Sequence, residues 1–130
     1  MMMPKYIEDD IVKYNDKIMV IKEPRDGSHF DLFCPQEGSV YCLVDVEEIK
    51  PIPITVEILE KNGWKKEMYR DWRHYIPLER TLLYLSKGVN IDGAFTVCVG
   101  LDMSHIACIS FVHQLQHLFF GFGLSSKMEV

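Results

Sequence analysis

The chain has 130 residues, 48% of them hydrophobic and 25% charged, with a formal net charge of −5. That is enough apolar material for one core or two small ones, and no apolar run approaches the roughly 20 residues that a membrane-spanning helix needs. The charge is uneven, with 6 Lys+Arg against 11 Asp+Glu through Pro53 and 8 against 8 from Ile54 onward, so the first part repels phosphate backbones and general nucleic-acid binding is not expected.

The opening MMMPKYIEDD has neither the basic start nor the apolar centre of a secretory signal. A cytoplasmic protein with no membrane partner is the expectation. From Asp10 to Ile49 the text is strand-like: DIVKYNDKIMVIKE, HFDLFCP and SVYCLVDVEEI, punctuated by the turns NDK, PRDGS and PQEGS. This pattern predicts a small meander that curls on itself, most simply as an SH3-like, barrel-like unit over residues 1–53.

Pro51 and Pro53 lack backbone donors and favour extended chain, which sets a junction at KPIPIT. A helix is predicted directly after it. Thr55 caps it, Glu57 sits in its first turn and pairs with Lys61, Ile58 and Leu59 face inward, and Asn62-Gly63 stops it.

Four strand-like runs follow, WKKEMYRDWRHYIPL, RTLLYLSK, AFTVCVGL and SHIACISF, with KGVNIDG as a turn between the second and third. They predict a four-stranded antiparallel sheet. A closing helix near Phe111 to Phe120 is released at Gly121 and Gly123. The fold class is therefore α+β, with a β-rich subdomain 1–53 and an α+β subdomain 54–130 packed as one compact unit.

Rotating the closing helix by about 100° per residue from Phe111 gathers Leu115, Leu118, Phe119 and Phe122 on one stripe, expected to bury against the second sheet. His113, Gln116, His117 and Phe120 then point away, at about 140° to 240° from Phe111. This side is either roofed by the N-terminal barrel within the chain or is a candidate interaction surface for a protein partner or a second copy in a homodimer.

His113 and His117 have the spacing of two zinc ligands on a helix. Gln114 stands where a zinc peptidase needs Glu, and glutamine takes no proton from water. A small metal-binding protein using His113 and His117, with His105 as third ligand, stays as an alternative. No cofactor is implied otherwise.

The stretch Trp64 to Arg80 interleaves aromatic and basic residues. Trp64, Arg70, Trp72 and Arg73 are candidates to stack a base and neutralise a phosphate of a small nucleotide or phosphorylated ligand, against the plainer account of cross-strand aromatic pairs among solvated charges. Cys34, Cys42, Cys98 and Cys108 form no C-x-x-C pair, and reduced core thiols are expected. No Gly-x-Ser-x-Gly elbow, Walker loop or Gly-x-Gly-x-x-Gly is present, so the protein reads as non-enzymatic.

Two segments, VDVEEIKPIPITVEILEKNGW (Val44 to Trp64) and ISFVHQLQHLFF (Ile109 to Phe120), resemble a family of small uncharacterised proteins of Bacteroides-type bacteria and their prophages. Family members pair a PIPLT-x-E-like segment with a closing VHQLQ-N-like helix. This chain departs from that pattern with His117 in place of the usual asparagine and with FGFGL at the end. The resemblance implies a mobile-element setting, in which small acidic proteins act by binding a protein or a signalling nucleotide.

Overall fold

The computed structural model describes residues 6–78, 80–87, 94–100 and 102–130, the side chains of residues 70–72 excepted. It is an α+β structure dominated by two antiparallel sheets. The chain divides into two compact units, one formed by Met1–Ile52 with Phe111–Met128 and the other by Pro53–Ser110 with Glu129–Val130.

In the first unit, β1 (Ile11–Tyr14), β2 (Lys17–Pro24), β3 (His29–Cys34), β4 (Ser39–Asp45) and β5 (Lys50–Pro51) are ordered β4-β3-β2-β1-β5. The β1–β2 hairpin turns on Asn15 and Asp16, both at positive φ (53° and 62°). That is the two-residue turn whose twist matches the flanking strands, and Asn and Asp tolerate it best after Gly. Val12, Met19, Ile21, Phe30, Leu32 and Val44 supply much of the core.

Both neighbours of β3 slip register beside Asp31, β2 between Ile21 and Glu23 and β4 opposite Phe30 to Leu32. The extra residue on β4 puts Leu43 at φ 54° and takes its N–H out of the ladder. Asp31 replaces the lost partner: its Oδ1 accepts the Leu43 N–H at 3.0 Å, and Arg25 closes on its Oδ2 at 2.6 to 2.7 Å. The guanidinium, then the amide, hold the Asp31 carboxyl below the usual carboxylate range. Paired bulges at one point bend and twist a sheet strongly, yet among the described residues neither sheet closes into a ring.

In the second unit, α1 (Val56–Lys61) precedes β6 (Lys65–Glu67), β7 (Arg70–Pro77), β8 (Leu82–Lys87), β9 (Phe95–Val99) and β10 (Ser104–Ile109), ordered β10-β9-β8-β7-β6. The helix has the limits its sequence announces. Thr55 Oγ1 accepts the Ile58 N–H at 3.2 Å, and Gly63 at φ 89° lets the Trp64 N–H return to the Leu59 carbonyl at 3.0 Å. Leu59 is fully buried and Ile58 half-buried.

The sheet has five strands where four were expected. WKKEMYRDWRHYIPL is not one strand but the β6–β7 hairpin, turning at Met68 and Tyr69, because fifteen residues exceed the usual strand length and the middle of the run carries charge rather than apolar alternation. The expected turn KGVNIDG lies, after Lys87, outside the described residues.

The last helix, α2 (Val112–Gly121), belongs to the first unit, not to the second sheet as the subdomain 54–130 implied. The Val112 N–H donates to the Ile52 carbonyl at 2.8 Å, and the Ile11 N–H donates to Gln116 Oε1 at 2.8 Å. All four cysteines are free thiols. Cys34 and Cys98 are buried, but Cys42 and Cys108 are exposed, a correction to the expected core thiols: both sit on edge strands, β4 and β10, which leave alternate side chains outside.

Candidate functional site

The faces of α2 differ from the rotation counted from Phe111. Phe111 is the N-cap, with extended dihedrals (φ −124°, ψ 151°), and the helix begins at Val112, whose side chain is fully buried. The buried set is Val112, His113, Leu115, Gln116 and Phe119, an arc turned by about 90° from the expected one. His113, at 3% exposure, and Gln116 thus lie inside, contrary to their placement on an interaction surface. His117 is half-buried, and Phe120 stands out at 69% exposure.

Polar residues are tolerated on this buried face because they meet polar partners. Gln116 Nε2 donates to the Asp9 carbonyl at 2.9 Å and to the Ser126 carbonyl at 3.0 Å, while its Oε1 takes the Ile11 N–H. One amide side chain therefore satisfies backbone groups of the entry to β1 and of the segment after α2. One position on, His117 Nε2 donates to the Asp10 carboxylate at 2.8 and 2.9 Å, and the Ile7 N–H donates to Asp10 Oδ2 at 2.8 Å. Gln114, which ruled out a zinc peptidase, accepts the Phe111 N–H at 3.0 Å and so caps the helix start.

Inside this clasp the Tyr6 ring meets His113 edge-on at 5.0 Å and Phe30 at 5.9 Å, and His113 lies 5.6 Å from His117. Tyr6 Oη and His113 Nδ1 are buried without a hydrogen-bond partner among the described residues. Burial, then the nearby His117, push the His113 pKa down to about 4, so its imidazole is neutral. Burial, then the Asp10 charge, push the Tyr6 pKa up to about 12. Burial raises the Asp10 pKa more than the Ile7 amide and His117 lower it. Gln116, His117 and Asp10 make the cluster a structural clasp between residues 7–11 and α2, since their polar groups are taken up by backbone and by one another.

Phe120 is joined at the surface by Phe122 at 41% and Leu124 at 42% exposure. Phe122 caps the helix C-terminus and Gly123 follows at φ 73°, so the chain turns and Phe122, expected in the core stripe, leaves it. These three side chains follow one another closely at the end of α2, whereas the other exposed apolar residues of the first unit, Ile7, Val40 and Leu43, lie on other segments. A surface cleft lined by Lys13, Tyr14, Asp16, Glu48 and Lys50 carries two cations and two carboxylates, which cancel.

The other expected site residues are not assembled for their chemistry. Trp64 is buried, at 2% exposure, and offers no stacking face to a ligand. Arg73 reaches Glu67 Oε2 at 3.3 Å and its guanidinium lies 5.8 Å from the Tyr84 ring centre, so its charge is already balanced. The side chains of Arg70 and Trp72 lie outside the described residues. Tyr69 is fully presented at the β6–β7 turn, and the nearby buried His74 on β7 faces Glu60 of α1 at 3.4 Å. His105 is exposed on β10 with its Nε2 3.0 Å from the Ala107 carbonyl. Among the described residues no three His, Cys, Asp or Glu side chains are grouped to hold a metal ion, the set of His105, His113 and His117 included.

Sequence reasoning did not single out Tyr6 or Asp10. The only local signal is an acidic pair directly before an apolar strand, and the partners stand 107 positions away. No family model matches the chain, and neither does any curated protein or solved structure. No helix of the described residues is long and apolar enough to cross a membrane.

Proposed function

We propose that the protein is a non-enzymatic binding module, and that the end of α2 is its contact surface for another protein. The observation that carries this is the exposure of Phe120, with Phe122 and Leu124 beside it. Exposed aromatic groups in one place mark contact surfaces, because leaving them in water forgoes a large part of the roughly 1.5–3 kcal/mol that burying each would contribute. The absence of an elbow, phosphate loop or catalytic pair in the sequence agrees with it.

The paired register shifts beside Asp31, of the kind that curl a sheet, support reading the first sheet as an SH3-like architecture, a frame on which loops and helix ends serve as contact surfaces. A mobile-element setting and a cytoplasmic location belong to the same proposal, on the resemblance of Val44 to Trp64 and Ile109 to Phe120. The ligand reading of Trp64, Arg70, Trp72 and Arg73 is weaker, since the first is buried and the last is paired.

A photo-crosslinking amino acid at position 120, in the native host, tests the surface. One defined protein adduct is expected, absent when the same group replaces exposed Glu57 of α1. No adduct at 120, or turnover of nucleotides or peptides that a single substitution abolishes, rejects the reading.

A further inference from the structure

The apolar end of α2 belongs to a unit of net negative charge. Phe120 lies about 40° around the helix axis from Gln116 and about 60° from His117, between the two side chains that grip residues 9 and 10. It is the next turn of the face that holds the Glu8-Asp9-Asp10 segment. Asp10 is buried against His117, but Glu8 and Asp9 are exposed and pair with no cation among the described residues. Two open carboxylates thus stand in the segment that the preceding turn of this helix face grips.

Two further features, one at the helix end and one of the whole unit, are negative in sign. No basic side chain stands in the last turn of α2, so the partial negative charge of its C-terminal carbonyls is uncompensated within the helix. The first unit carries 7 Lys+Arg against 11 Asp+Glu, a net −4, while the second carries 7 against 8, a net −1. Lys127 is the one cation in the segment Phe111–Met128.

We infer that the Phe120 patch takes a partner segment of opposite character, an apolar anchor flanked by Lys or Arg, on a protein other than a second copy of this chain. The inference rests on the proposed contact surface at the end of α2 and adds the chemistry of its occupant. Two copies would bring like-charged faces and two helix C-termini together, which long-range electrostatics opposes, whereas a basic segment is attracted on approach and positioned by the Glu8 and Asp9 carboxylates. The apolar side chains supply the affinity and the carboxylates the selectivity.

The test is selection of a random dodecapeptide library on the whole protein, in parallel with Phe120→Ser and with the double variant Glu8→Lys/Asp9→Lys, each checked for an unchanged melting midpoint. Peptides combining one or two large apolar residues with Lys or Arg should be enriched on the wild type. Their Kd should rise severalfold with added salt and more than tenfold on Phe120→Ser, and the double variant should prefer acidic flanks. Enrichment of apolar peptides without basic flanks, lost on Phe120→Ser but indifferent to charge reversal, overturns the inference and leaves the contact surface standing. Enrichment indifferent to Phe120→Ser, or none at all, rejects the contact surface itself. A homodimer by light scattering that Phe120→Ser dissociates overturns the heterologous partner.

Discussion

Helix α1 is delimited by its immediate neighbours: the Thr55 hydroxyl takes the Ile58 N–H, and Gly63 turns the chain so that Trp64 returns to Leu59. Helix α2 has its cap in Gln114, but its orientation is decided by groups more than a hundred positions away, Ile11, Asp9 and Asp10. In α1 the residues that stop the helix and the residues that bury it follow the usual divisions of polar and apolar. In α2 a glutamine and a histidine are buried while a phenylalanine is exposed. Local capping sets where a helix lies in the sequence, and only tertiary partners set which way it faces.

The contrast is open to direct attack. The largest effect belongs to Leu115→Ala, which empties a fully buried position on α2 and should cost about 2 to 5 kcal/mol in denaturant melts. A cost below 1 kcal/mol would mean that α2 is not docked as described.

His113 makes the second test through pH. Folded, it stays neutral down to about pH 4, whereas the unfolded chain takes up that proton near 6.5. Between these values the unfolded state binds more protons, so stability falls as the pH drops, by up to about 3 kcal/mol across the window. Asp10 works in the opposite sense: its raised pKa favours the folded state below the ordinary carboxylate value, and that contribution is lost as the pH rises through the raised one. Unfolding midpoints between pH 4 and 7 should therefore slope steeply in the wild type and much less in His113→Phe, which keeps the ring and removes the proton. Equal slopes would place His113 in solvent.

Gln116→Ala should cost about 1 to 3 kcal/mol by leaving the Ile11 N–H and two carbonyls without their partner. The Ile11 amide should also exchange with solvent faster than its neighbours in β1. Unchanged exchange would sever the proposed tie between the chain's two ends.

Thr55→Ala probes α1 alone and should cost about 1 kcal/mol, the usual effect of losing a hydroxyl cap. Smallest is Phe120→Ser, expected within about 0.5 kcal/mol because the side chain is mostly in water. A loss comparable with Leu115→Ala would put Phe120 in the core and remove the basis for a contact surface there.

The antiparallel runs of strands, the hairpin at Asn15-Asp16, the junction at Pro51 to Pro53 and the limits of α1 were legible in the amino-acid order, because turns, caps and prolines act through groups a few residues apart. The α+β class followed from the same local signals. Three features were decided only in the folded molecule. The β6–β7 hairpin carries no Gly or Pro at Met68 and Tyr69 to announce it. The double bulge at Asp31 depends on a carboxylate that meets Arg25 and the Leu43 amide only once three strands are aligned. The face of α2 turned by about a quarter circle because a buried amide that satisfies distant backbone groups is as well accommodated as a leucine, and periodicity counts it as polar. Hydrophobic pattern records what a side chain prefers in isolation; whether His113 and Gln116 go inside depends on the partners that Tyr6, Asp9 and Ile11 bring to them, and those partners exist only in three dimensions.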